Sequence, residues 1–135
     1  MSCDAYWKPV CDLASRLRCW SRIAIRDQNG AWVTPWGMLL TLPVPDYLEG
    51  SGGPVPIRCV EWVELSTLHL KGGLAGRPLQ RIDATDDVLS SLREVAAIWE
   101  LRRTTWSIVG LFPEEPVQAV HLPNPFGPRA RKRRG

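Results

Sequence analysis

Lysine is scarce in this sequence, and histidine scarcer. Lys8, Lys71 and Lys132 are its only ammonium groups, against fourteen arginines, and His69 and His121 are its only imidazoles. Nucleophilic catalysis needs a nucleophile, a base and an orienting group. Two histidines supply few bases, and the chain has no Gly-x-Ser-x-Gly elbow. A Cys59–His69 pairing has no support in the spacing. The four cysteines contain no Cys-x-x-Cys pair: Cys3, Cys11 and Cys19 stand eight apart, and Cys59 is isolated. A structural zinc site takes closely spaced ligand pairs, so no metal is expected. No cofactor is expected either. The glycine-rich stretches at 72–77 and 50–53 lack the Lys-Ser/Thr ending of a phosphate-binding loop and read as turns.

Long apolar runs are also missing. Nothing approaches the roughly 18 residues that span a bilayer. The N-terminus lacks a basic segment followed by an apolar core, so no secretory signal is expected. An intracellular location, nuclear or cytoplasmic, follows as the expectation, with the four cysteines as free thiols.

What is present is average in bulk and unusual in detail. A chain of 135 residues fits one domain. Its 44% apolar and 23% charged residues are those of a folded globule rather than a disordered chain. Twelve prolines cut it into short elements, and seven tryptophans exceed what this length usually carries. The net charge of +3 is unevenly placed. Arg129, Arg131, Lys132, Arg133 and Arg134 fall in the last seven residues; without them, twelve basic groups face fourteen acidic ones. A uniformly basic nucleic-acid-binding domain does not look like this.

Hydrophobic periodicity predicts a first helix over 9–21, with Pro9 at its start and a stripe of Val10, Leu13, Ala14, Leu17 and Trp20. A hairpin follows, 22–27 and 31–34, turned at Asn29-Gly30. Residues 38–44 read as a third, more buried strand and 43–54 as a loop. Residues 57–70 read as a long strand whose alternation shifts near Val63, through a β-bulge or a break. A connector at 71–78 leads to a second helix from Asp83 or Thr85 to about Arg103, with Val88, Leu92, Val95 and Trp99 as its stripe. Asp86, Asp87, Arg102 and Arg103 complement its dipole. A strand over 106–112 and an edge strand over 117–122 complete the body. The expected fold is α+β: two helices on a mostly antiparallel sheet in a single domain, 1–122, followed by a flexible, proline-rich basic tail, 123–135.

The tail is the most informative segment. Arg129, Arg131, Lys132, Arg133 and Arg134 suit nucleic acid or an anionic membrane, and the run resembles a nuclear localisation signal. Residues 62–70 resemble an export signal, but a core strand uses the same side chains. Trp20, Trp62, Trp99 and Trp106 are expected in the core. Trp32 and Trp36 flank Pro35, and Tyr47 sits in a proline-rich segment; these three are the candidates for protein contact. The Asp86-Asp87 and Glu114-Glu115 pairs read as helix capping and solvated charge.

These features point to a non-enzymatic binding or structural protein. Its body contacts a protein partner or a second copy of itself, and its tail contacts nucleic acid or membrane. A small viral structural (matrix-like) or accessory protein has this design. A nucleic-acid-binding regulator is the alternative, and a small enzyme whose site assembles only in three dimensions is the third reading.

Overall fold

Ser2 starts the first element. In the computed structural model, which describes residues 2–72, 75–108 and 112–128 (side chains excepted at 70, 106–108 and 112–116), the Ser2 Oγ accepts the Ala5 N–H at 3.1 Å. That N-cap opens helix α1, Cys3–Arg16. Tyr6, Val10 and Leu13, with Trp7, Cys11 and Ala14 beside them, recur at helical spacing and are buried. The helix therefore begins six residues before its expected start and ends five before its expected stop. Pro9 lies inside it. Its missing N–H frees the Ala5 carbonyl, and both residues are exposed, so water can satisfy that group. The helix stops because Arg18 takes a left-handed φ of 54°. Its N–H donates to the Ser15 carbonyl, and the Cys19 N–H reaches back to Ala14 at 2.9 Å. This is a Schellman ending with arginine where glycine is usual.

The hairpin forms as expected. Strand β1, Ser21–Asp27, pairs antiparallel with β2, Gly30–Val33. The two turn residues are Gln28 and Asn29, one position earlier than the sequence suggested, and Gly30 supplies the positive φ. Residues 38–44 are not a strand. They make one isolated bridge, Thr41–Glu49, with another, Ser21–Gly37, just before them, and of the seven only Leu40 is buried. The prolines at 43 and 45 prevent a continuous ladder there. The expected loop instead holds a second hairpin: β3, Tyr47–Gly50, and β4, Gly53–Pro56.

The long strand divides. A 3-10 turn, Ile57–Cys59, leads into β5, Val60–Ser66, and β6, Leu68–Lys71, pairs with β7, Gln80–Asp83, as a separate hairpin. The bulge is real but sits at Glu61. Ala24 pairs with Trp62 and Ile25 with Val60, so Glu61 is the extra residue. It puts Val60 on the same face as Val63 and Leu65 and turns Trp62 to the other.

The second helix is much shorter than its apolar stripe suggests. Helix α2 is Thr85–Leu92. Val88 and Leu92 are buried as expected, but neither Asp83 nor Thr85 caps it: its N-cap is Ala84. Asp83 instead accepts the Thr85 N–H at 2.9 Å. The Glu94 and Val95 N–H groups close a turn on the Ser91 and Leu92 carbonyls, and residues 96–99 belong to neither helix nor strand. Val95, Ala97 and Trp99 are half-buried, while Glu94, Ala96, Ile98 and Glu100 are exposed, a period of two. The chain then enters β8, Glu100–Ile108, so Arg102 and Arg103 lie on a strand and complement no helix dipole. Strand β9, Phe112–Pro123, is no edge strand. The main sheet runs β2-β1-β5-β9-β8, with β9 inside, and every pairing among the described residues is antiparallel.

The core lies between the two helices and one face of that sheet. Trp7, Val10, Leu13, Val88 and Leu92 meet Ile23, Ile25, Val63, Leu65, Val120 and Leu122. The domain is thus α+β with two helices on an antiparallel sheet. No described helix is long and apolar enough to cross a membrane.

The segment after β9 packs on the body. Asn124 is buried, and its Oδ1 accepts the Trp7 Nε1–H at 3.2 Å and the Phe126 N–H at 3.1 Å. Its Nδ2 donates to the carbonyls of Ile57 at 2.8 Å and Val60 at 2.7 Å. Gly127 has no room for a side chain, since a Cβ there would meet the Val60 oxygen at 2.3 Å. The start of the expected tail is therefore part of the fold. Residues 129–135 lie outside the described residues.

Three outcomes follow. Arg18→Gly relieves the left-handed strain and raises stability by about 1 kcal/mol, read as a higher urea midpoint at unchanged slope. Asn124→Ala leaves an indole N–H and two carbonyls short of a partner and lowers stability by about 3 kcal/mol in the same assay. Burial pushes the Cys11 and Cys19 thiols up from 9.0 to about 12, with the Asp12 charge adding to the Cys11 shift. Between those values the unfolded chain loses both protons and the folded one keeps them. Stability therefore falls above pH 9, by up to about 1.4 kcal/mol per pH unit for each thiol, a slope that Cys11→Ala with Cys19→Ala removes.

Candidate functional site

Two constellations stand out, one on each side of β1. The first lies on the sheet face turned away from the helices. Antiparallel register sets Arg22 opposite Glu64 and Glu64 opposite His121, so one row crosses β1, β5 and β9. The Arg22 Nε donates to Glu64 Oε1 at 2.8 Å, and His121 Nδ1 lies 2.9 Å from Glu64 Oε2. A second Arg22 nitrogen donates to the Thr104 hydroxyl on β8 at 2.8 Å. The guanidinium also lies 4.8 Å from the Trp36 ring centroid and 5.6 Å from that of Trp62. Trp62 in turn packs on His121, centroid to centroid 5.1 Å.

Glu64 and His121 are buried, so this is a desolvated charge cluster whose groups satisfy one another. Sequence reasoning missed it: an alternating strand shows which residues share a face but not which strand lies alongside. The pairing of carboxylate and imidazole is that of an oriented base. A small cavity of about 190 Å3 adjoins His121, with Trp99, Glu100 and Arg102 on its walls. Among the described residues, no hydroxyl or thiol hydrogen-bonds to that imidazole. Cys59 and His69 sit on different elements, the 3-10 turn and β6.

The second constellation surrounds Trp32. This residue pairs with Ile25 on the outer strand of the sheet and remains 46% exposed. It lines a cavity of about 560 Å3 together with Arg26, Asp27, Asn29, Arg58 and Pro128. Ile25, Val55 and Pro56 supply apolar wall. A smaller cavity of about 210 Å3 shares Ile25 and Trp32 and continues to Val33, Glu61 and Trp62. The bulge residue Glu61 holds Arg26 at 2.5 Å. The Asp27 carboxylate is oriented by the turn, its Oδ1 accepting the Asn29 N–H at 2.7 Å. Another cavity of about 350 Å3, between the β6–β7 hairpin and β9, contains Arg81, Asp83 and Gln118 but no aromatic wall.

The sequence candidates separate. Trp32 is exposed, and its ring borders both cavities. Trp36 is half-buried against Arg22 and belongs to the charge cluster. Tyr47 is 38% exposed on β3 and borders neither Trp32 cavity. Arg129, Arg131, Lys132, Arg133 and Arg134 lie outside the described residues, but Pro128, which precedes them, lines the larger Trp32 cavity. Among the described side chains Trp7 is the fully buried tryptophan, while Trp20, Trp62 and Trp99 are half-buried. The Trp106 side chain lies outside the described set.

At the start of α1, the Cys3 Sγ and the carboxylates of Asp4 and Asp46 lie within 4.8 Å of one another. Internal hydrogen bonds join them: Cys3 to Asp46 Oδ1 at 3.2 Å, and the Asp46 N–H to Asp4 Oδ1 at 3.0 Å. These bonds tie the loop before β3 to the helix. Comparison with family models, curated proteins and solved structures finds no match for this chain.

Proposed function

We propose that this chain is a non-enzymatic binding protein whose ligand is single-stranded nucleic acid, held jointly by the surface around Trp32 and the basic run 129–134. One observation carries this reading: Pro128 lines the same cavity as Trp32, Arg26 and Arg58. Pro128, the last described residue before the five cations, therefore stands beside an exposed indole and Arg58. Proteins that hold single strands combine basic charge along the backbone with aromatic faces for the bases. The indole suits any base, and arginine suits phosphate through its planar fork. The near-neutral body accounts for the modest net charge, because the phosphate-neutralising groups are concentrated at one place. The same run fits nuclear import.

A second reading, pairing with a protein partner or another copy, is favoured by β2. All four of its residues are exposed and uncharged. The Thr34 N–H donates to the Ile23 carbonyl, so by alternation the backbone groups of Ala31 and Val33 point to the open edge. An uncovered edge strand is a template for another strand.

Fluorescence anisotropy with a labelled thymidine oligonucleotide, at stepped salt, tests the first reading on the full chain. Affinity falls steeply with salt. Replacing Arg129, Arg131, Lys132, Arg133 and Arg134 with serine weakens binding and flattens the log–log slope by about 3.5, each cation that no longer neutralises a phosphate accounting for about 0.7. An unchanged slope removes the tail from the account. Binding to acidic lipid vesicles with none to the oligonucleotide replaces nucleic acid by membrane. Salt-insensitive association without either ligand favours the β2 edge.

A further inference from the structure

The larger Trp32 cavity has a composition that the thymidine test does not use. At about 560 Å3 it is within the size range of small-ligand sites. Its walls offer three kinds of chemistry. Trp32 gives a flat aromatic face, half open to solvent. Arg58 gives positive charge, and Arg26 borders the cavity with its guanidinium already paired to Glu61. Asp27 gives a carboxylate, an acceptor without a donor.

A simple anion does not suit this set, because Asp27 repels it. A simple cation does not suit it either, because Arg58 borders the same cavity. An apolar ring offers the carboxylate no donor beyond the Asn29 N–H it already accepts. The matching ligand is planar and carries hydrogen-bond donors on one edge and negative charge elsewhere. Among nucleotides, guanine alone presents two adjacent donors, N1–H and the N2 amino group, on the edge opposite its sugar. A carboxylate accepts both at once, whereas adenine, cytosine and uracil present a donor beside an acceptor, or an acceptor on each side of a donor.

We propose that this cavity binds one guanine nucleotide, the ring stacked on Trp32, the N1/N2 edge on the Asp27 carboxylate and the phosphate on the Arg58 side. The proposal rests on the nucleic-acid reading above and adds base preference to it. The local fold supports the roles. The two-residue turn positions Asp27 by tying its Oδ1 to the Asn29 backbone, and Trp32 returns on the paired strand three residues after Asn29. Reader and platform therefore belong to one hairpin.

Isothermal titration of the full chain with GMP, AMP and inorganic phosphate tests this. GMP binds, AMP binds at least about tenfold more weakly, and phosphate alone gives no heat. Trp32→Ala weakens GMP by about tenfold or more, the loss expected for one stacked base, while Trp32→Phe keeps most of the affinity. Asp27→Asn brings GMP and AMP to equal affinity without weakening AMP. Equal binding of GMP and AMP by the unmodified chain overturns the assignment, as does GMP binding unaffected by Trp32→Ala. If the thymidine oligonucleotide binds and GMP does not, the cavity proposal falls and the nucleic-acid reading stands. If neither binds, both fall.

Discussion

The Asn124 carboxamide joins α1, the 3-10 turn, β5 and the carboxyl-terminal turn, and the arrangement of the rest depends on that junction. A primary amide has two donors and an oxygen with two lone pairs. Here the oxygen takes the Trp7 indole and the Phe126 backbone, and the nitrogen serves two carbonyls, Ile57 and Val60. No other side chain of that size can do this. Alanine makes none of the bonds, and an ionised aspartate presents acceptors to two carbonyls. In a dry interior each of these bonds is strong, and each unpaired partner is costly. The 3-10 turn and the bulge at Glu61 interrupt the regular ladder beside β5, and the amide provides partners for carbonyls at that interruption.

That junction also sets where the chain goes next. Gly127 passes against the Val60 carbonyl at a distance no side chain permits. Phe126 then rests edge-on against Tyr6, with ring centroids 5.7 Å apart, and Pro128 arrives at the cavity formed by the β1–β2 turn and the 3-10 turn. The expected division between a neutral body and a loose basic end is thereby modified. The prolines at 123, 125 and 128, which read as signs of flexibility, belong to a segment that closes the core. Pro128, the last described residue, adjoins an exposed tryptophan.

Local signals were legible where one rule applied without competition. Asn29-Gly30 marked the hairpin, and the Ile23/Ile25 alternation marked its buried face. Val88 and Leu92 were readable as the inner face of a helix. The failures came where two periods fitted the same residues. Val95 and Trp99 continue the 3.6-residue stripe from Val88, but with Ala97 they also fit a period of two, and after the turn that ends α2 the burial follows that option. Val95, Ala97 and Trp99 are half-buried against the core on the way to β8, which starts at Glu100 and pairs with β9. The helix at the N-terminus was placed late because Pro9 looked like a start, although Tyr6 and Trp7 already began its stripe. The Arg22–Glu64–His121 row had no signal in any single strand, since it exists only once β1, β5 and β9 lie side by side. Asn124 was hidden for the same reason: its partners are 64 to 117 residues away in sequence.

The tryptophans show how one residue type serves opposite ends. Trp7 has no exposed surface and uses its indole N–H internally. Trp36 and Trp62 lie near Arg22, where a ring's electron-rich face helps hold a guanidinium that Glu64 already pairs. That arginine is committed to the fold, which is why the buried charge cluster is a poor candidate for binding phosphate. Trp32 differs from all three. Hiding a large aromatic ring contributes roughly 2 kcal/mol, and the outer strand leaves nearly half of it uncovered. The fold had neighbours able to cover it: Val55 and Pro56 border the same cavity, which nonetheless stays open. Stability alone favours closing such a gap, by a bulkier residue or a shorter turn. The nucleotide proposed above would cover the open indole beside Arg58 and the turn-held Asp27 carboxylate, completing packing that the fold leaves open.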